Sequence, residues 1–226
     1  MAKLTKEQIE EFKQEEKESD DSSGYMYLAE EVAEAGDKDW AMKLFQKAID
    51  HAEDYYDHQV IAESLAELSE NKLAKEVYGE AAKHVNNLEE FLEIADSIAD
   101  EDYLEDKELA RVYYKKAEKY LKTAESYIDL GGRFLYLNLG GDESDKKWGM
   151  ELLEIALKKE KSFNSYRMVA NTILKDDEDR ARKLYEKAQE LAESKEEYNL
   201  LASTVGGVLD DTDWEEELRQ KAKEVK

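Results

Sequence analysis

The sequence predicts an all-α fold, an α-solenoid of about six antiparallel helix-turn-helix repeats behind an N-terminal capping helix. Three observations carry this: a recurring column of Ala, aromatic and Ala, a second column upstream of each copy, and a helix-capping residue four positions before both. Ala41, Phe45 and Ala48 recur as Ala74, Tyr78 and Ala81, then Ala110, Tyr114 and Ala117, then Gly149, Leu153 and Ala156, then Ala181, Tyr185 and Ala188, and fade at Glu215, Arg219 and Ala222. Spacings of four and three put these residues on one helical face, where small residues on either side of a ring let a second helix approach closely. This helix is B.

Its partner, helix A, carries Tyr25, His58, Phe91, Tyr127, Tyr166 and Tyr198, followed three residues later by Leu28, Ile61, Ile94, Leu130, Val169 and Leu201. The next position is always small (Ala29, Ala62, Ala95, Gly131, Ala170, Ala202), and three further on stands Val32, Leu65, Ile98, Phe134, Ile173 or Val205. Asp21, Asp54, Asn87, Thr123, Ser162 and Ser194 precede helix A, and Asp37, Glu70, Asp106, Asp145, Asp177 and Asp211 precede helix B. Nearly all are favoured N-caps, whose oxygens accept the orphan N–H groups of a first turn. Asn87 with Glu90 and Ser194 with Glu197 read as capping boxes or close relatives of one.

Ahead of the repeats, Thr5 with Gln8 marks a helix start, and Ile9 and Phe12 give it an apolar stripe. Counting back from Leu28 puts Phe12 on the aromatic column of helix B, so residues 1–20 read as half a repeat capping residues 21–226. The repeats run at about 21–53, 54–86, 87–122, 123–161, 162–193 and 194–226. The last helix ends in polar residues (Arg219, Gln220, Lys221, Lys223), so both ends are expected to be closed. The step from the last Ala of helix B to the next helix A column is always 13 residues, whereas the A-to-B step varies over 13, 13, 16, 19, 12 and 14. The extra length falls in two tips, Asp100 to Leu104 and Leu137 to Asp145.

The chain has 33 Lys and Arg against 57 Asp and Glu, a formal net charge of −24. Charge of that sign repels a phosphate backbone and an anionic bilayer, so neither nucleic acid nor membrane is an expected partner. With no Cys and no long apolar run, a cytoplasmic protein without disulfides is expected. Among the three histidines, His58 stands in an aromatic column, which reads as packing, and His51, His58 and His84 lack the closed ligand set of a metal site. Asp142 to Asp145 lacks the alternating oxygen ligands of a calcium loop, and no nucleophile stands at a telling distance from a base. A non-catalytic protein with no cofactor or metal is expected.

The paired columns resemble the tetratricopeptide (TPR) repeat over about residues 21–226, with Leu130-Gly131 reproducing the family's Leu-Gly pair and Tyr in place of its opening Trp. Departures are the absence of Pro and periods of 33, 33, 36, 39 and 32, which leave a Sel1-like or half-a-TPR relationship open. The resemblance implies a superhelix whose concave face, lined by helix A, binds another polypeptide. Carried over, the groove positions are Met26 and Glu30; Gln59 and Glu63; Leu92 and Asp96; Ile128, Gly132 and Tyr136; Arg167, Asn171 and Lys175; Asn199 and Ser203. They run from acidic, through an apolar floor at Leu92 and Ile128, to basic and amide, so a basic or amphipathic peptide or protein is the expected partner. Arg167, Asn171 and Lys175 partly match the family's clamp for a C-terminal carboxylate. A structural or self-associating subunit, and an engineered repeat protein without a natural partner, are the alternatives; a monomer is expected, with a dimer as the other state.

Overall fold

A computed structural model describes residues 4–136 and 143–225. Its described residues form thirteen α-helices: α1 Lys6–Glu18, α2 Ser22–Glu34, α3 Lys38–His51, α4 Tyr55–Glu67, α5 Asn71–His84, α6 Leu88–Ala99, α7 Lys107–Ala117, α8 Ala124–Tyr136, α9 Glu143–Lys159, α10 Phe163–Ile173, α11 Glu178–Leu191, α12 Lys195–Leu209 and α13 Thr212–Glu224. They gather into two compact units, residues up to Tyr120 and residues from Leu121 onward. The first holds α1 and the hairpins α2–α3, α4–α5 and α6–α7, and the second holds α8–α9, α10–α11 and α12–α13.

The helix B column is the core of four hairpins: Ala41, Phe45, Ala48, Ala74, Tyr78, Ala81, Ala110, Tyr114, Ala117, Ala181, Tyr185 and Ala188 are all 0% exposed, whereas in α12–α13, where the column fades, Arg219 is exposed and Leu218 is buried. Opposite them, the small residues and the following apolar residues of helix A are buried as well. The aromatic column lies at the hairpin edge, where the end of helix B covers it. His51 packs 5.0 Å from Tyr25, His84 stacks 5.0 Å from His58, and Lys119, Lys159 and Lys187 lie over Phe91, Tyr127 and Tyr166 at 4.9, 5.4 and 5.6 Å. His58 is thus a packing residue whose Nδ1 bonds the Asp54 carbonyl at 2.7 Å.

The α8–α9 pair has glycine at both small positions. A Cβ on Gly149 would stand 2.8 Å from the Gly131 carbonyl oxygen, and one on Gly131 would stand 3.0 Å from that of Gly149, so the two backbones touch where other hairpins interpose methyl groups.

Side-chain caps form at Thr5, Asp21, Asp37, Asp54, Asn87, Asp106, Thr123, Ser162, Asp177, Ser194 and Asp211. Glu70 makes no capping bond; its carboxylate pairs with Lys38. Asp145 lies, buried, within the described span of α9, which includes Glu143. Where helix A turns into helix B, the residue before the cap takes a left-handed conformation at Gly36, Ser69, Glu105 and Asp210. In the long tip after α6, Tyr103, Glu105 and Asp106 N–H groups donate back to Asp100 and Ile98, and Leu104 is buried beneath. Of the other long tip, Leu137 to Asp145, residues 137–142 lie outside the described residues and Glu143 to Asp145 belong to α9.

All three tryptophans occupy one helix B register, the position just before the first residue of the helix B column: Trp40, Trp148 and Trp214. Trp40 Nε1 donates to Glu16 at 3.0 Å and Trp214 Nε1 donates to Gln189 at 2.6 Å. Glu16 stands four residues after Phe12, as Gln189 stands four after Tyr185. In this contact α1 stands to α3 as α11 stands to α13, and Phe12 packs edge-on to Trp40 at 6.1 Å.

The two acceptors differ in charge. Partial burial pushes the Glu16 carboxyl up, but hydrogen bonds from Lys47, at 2.7 Å, and Trp40 outweigh it and hold the group below the usual carboxylate range. A depressed folded-state value contributes stability above the unfolded value of about 4.3, and that contribution is lost as pH falls through the folded value. Backbone amides of α1 are therefore expected to lose hydrogen-exchange protection as pH falls below the unfolded value of about 4.3 in a Glu16→Gln-sensitive way, whereas the Trp214–Gln189 contact has no acceptor to titrate. Unchanged α1 protection across that fall in pH, after correction for intrinsic exchange, would sink the assignment.

Candidate protein-binding face

The helix A positions two residues after the Leu/Ile/Val column are Glu30, Glu63, Asp96, Gly132, Asn171 and Ser203. In the first unit they form a linked row. Ser64 Oγ on α4 donates to Glu30 on α2 at 2.6 Å, and Ser97 Oγ on α6 donates to Glu63 on α4 at 2.7 Å. Ser97 has one proton and gives it to Glu63, so the Tyr78 hydroxyl, 2.6 Å away, is the donor to Ser97. Gln59 Nε2 adds a third link to Glu63 at 2.9 Å, and the Tyr114 hydroxyl donates to Asp96. Burial pushes the Tyr78 phenol up, which keeps it a donor. Two of these bonds originate at core rings, so the carboxylates are oriented from within by the columns that hold the hairpins together.

In the second unit the same register is uncharged. Asn171 Oδ1 accepts from the Tyr185 hydroxyl at 2.7 Å, as Asp96 accepts from Tyr114, while Gly132 sits close to Thr172 and Ser203 is exposed.

The position just after the aromatic column behaves differently. Met26, Leu92 and Ile128 are 6, 1 and 4% exposed, so they are core residues and the expected apolar floor does not reach the surface. Turning an apolar side chain inward gains about 25 cal/mol per Å² removed from water, which polar residues at that register do not gain. Gln59, Arg167 and Asn199 there are half-buried, and Gln59 Oε1 and Arg167 Nε are enclosed without a hydrogen-bond partner. Lys175 falls in the turn after α10, so it does not extend the helical row of Arg167 and Asn171 that a carboxylate clamp needs. Tyr136 ends α8, and its side chain lies outside the described residues.

The serines were not among the expected site residues. The readable signal was Ser64 and Ser97 at one register in helix interiors, each next to an acid, where helix propensity does not favour serine.

No protein-family model and no curated protein matches the chain. Among solved structures it is similar to the C-terminal part of a TPR repeat-containing protein from Cytophaga hutchinsonii, at 18% identity and a TM-score of 0.48 over 97% of this chain and 89% of that one. The columns and hairpins described above make the chain a TPR-like, all-α helical-repeat protein. None of its described helices is long and apolar enough to cross a membrane.

Proposed function

We propose that this chain is a non-catalytic protein-binding scaffold whose first unit holds a basic or amphipathic segment on the face of α2, α4 and α6. The observation that carries this reading is the row Glu30, Glu63 and Asp96, one carboxylate per repeat at one register, each oriented by a hydroxyl. Acceptors held in place before a partner arrives lose little side-chain freedom on binding, and a row of one sign steers a basic segment toward it.

The test starts from the partner captured from a lysate of the source cell. Combining Glu30→Gln, Glu63→Gln and Asp96→Asn keeps side-chain size and removes the charge. It is expected to weaken binding roughly tenfold, as three partly exposed ion pairs contribute together. Glu76→Gln, Glu80→Gln and Glu186→Gln on helix B are expected to leave binding unchanged. Association should also slow as salt rises past physiological strength, where the Debye length is about 8 Å. Equal binding by both triple variants would move the site away from this face, to the long turns of the third and fourth repeats.

A further inference from the structure

Each helix A meets the next helix A of its unit at one repeated register. Glu30 on α2 accepts from Ser64 on α4, and Glu63 on α4 accepts from Ser97 on α6, at 2.6 and 2.7 Å. In the second unit a Cβ on Gly132 of α8 would stand 3.4 Å from Thr172 Cγ2 on α10. At the next seam, α10 against α12, the same register sets Asn171 opposite Thr204, and it sets Arg167, one turn earlier on α10, opposite the turn from Leu200 to Thr204. This seam is open on its α12 side. Leu200 and Val208, one turn either side of Thr204, are 43 and 50% exposed, whereas the counterparts of Leu200 at the other three seams, Val60, Glu93 and Met168, are half-buried.

The seam also differs in charge. Residues 163–173 carry Arg167 as their one charge and residues 198–209 carry none, in a chain where 57 of 226 residues are Asp or Glu. Of the six arginines, five pair with a carboxylate. Arg167 makes no ion pair among the described residues, and its Nε is enclosed without a hydrogen-bond partner although the side chain is only half-buried. An enclosed guanidinium nitrogen without an acceptor is destabilising, and a carboxylate that enters the seam offsets that cost through a fork of two parallel hydrogen bonds.

We propose that the α10–α12 seam is a docking site for an extended segment of a partner protein in which one acidic residue stands between two aliphatic ones, two positions from each. Leu200 and Val208 lie two helical turns apart, about 12 Å, which is close to the span of four residues in an extended chain. Residues i, i+2 and i+4 of such a chain point the same way, so the outer pair meets Leu200 and Val208 while the middle carboxylate meets Arg167. The net charge of −24 repels a strongly acidic segment and a second copy of this chain alike, so a lone carboxylate among apolar residues is the fitting occupant. This site shares no residue with the row Glu30, Glu63 and Asp96 and takes the opposite charge.

The probe is a short fluorescein-labelled peptide, amidated at its C-terminus, with Leu-Ser-Glu-Ser-Leu at its centre, titrated against the full chain by anisotropy. It is expected to bind roughly tenfold more tightly than its Gln analogue, as a hydrogen-bonded charge pair implies. Arg167→Met should abolish that difference and leave the Gln analogue as it was. Leu200→Ser with Val208→Ser should weaken both peptides; the two side chains are exposed, and circular dichroism checks that the fold is kept. Raising salt from about 0.01 to about 0.15 M should hold or tighten binding of the Glu peptide, because distant repulsion is screened more than the enclosed pair. Equal binding of the Glu and Gln peptides, or a preference that survives Arg167→Met, overturns the inference. So does binding that appears only when the peptide C-terminus is left free, because the ligand is then a terminal carboxylate. Self-association seen by sedimentation and abolished by Arg167→Met overturns it too, because the occupant is then a second copy. Each of these failures leaves the reading of the α2–α4–α6 face intact.

Discussion

Tyr114→Ala is expected to lower the stability of the first unit by about 3–5 kcal/mol, the range for emptying a buried aromatic site. The ring is 0% exposed between Ala110 and Ala117, so its loss leaves a void that two helices cannot close without moving the hairpin. Its hydroxyl ends on Asp96, which is half-buried, and water can replace that donor. Tyr114→Phe should therefore cost only about 0.5–1.5 kcal/mol. Denaturant unfolding of the two variants checks the assignment. A change below about 1 kcal/mol for the alanine variant would show that the ring does not fill the hairpin.

Gly149→Ala should destabilise the second unit by about 1–3 kcal/mol, although alanine is the better helix former by about 1 kcal/mol. The added methyl would meet the Gly131 carbonyl oxygen at 2.8 Å and the Phe134 Cβ at 3.1 Å, and a backbone atom has no rotamer to escape into. Gly79→Ala is the control. It also lies within a helix B, but a Cβ there meets nothing within 4 Å, so the substitution should raise the stability of the first unit by up to about 1 kcal/mol. Thermal melts of both variants decide it: a Gly149→Ala protein as stable as its parent would mean that α8 and α9 are not in backbone contact.

The hairpins were legible because two constraints act on the same residues. A position that must be both small and buried, such as Ala62 or Ala74, is visible in the sequence once its helical spacing is known. The capping residues fix the frame independently, and at Glu70, where no capping bond forms, the carboxylate pairs with Lys38. The candidate face was legible in its acidic row and not in its flank. Met26, Leu92 and Ile128 share a register with Gln59 and Arg167, and register alone does not say whether a flank residue turns inward. Side-chain chemistry decides that. Nor does the row announce that Tyr78, Ser97 and Glu63 form one chain of hydrogen bonds, because its members come from three helices brought together only by folding.

The shared tryptophan register has an optical consequence. Trp40 belongs to the first unit, and Trp148 and Trp214 belong to the second, so the two units carry separate intrinsic fluorophores. With Trp148→Phe and Trp214→Phe, emission excited beyond the tyrosine band arises from Trp40 and follows the melting of the first unit without an attached dye. With Trp40→Phe, emission follows the second unit. The indoles that pin α1 and α13 to the array thus also let the melting of one unit be timed against that of the other.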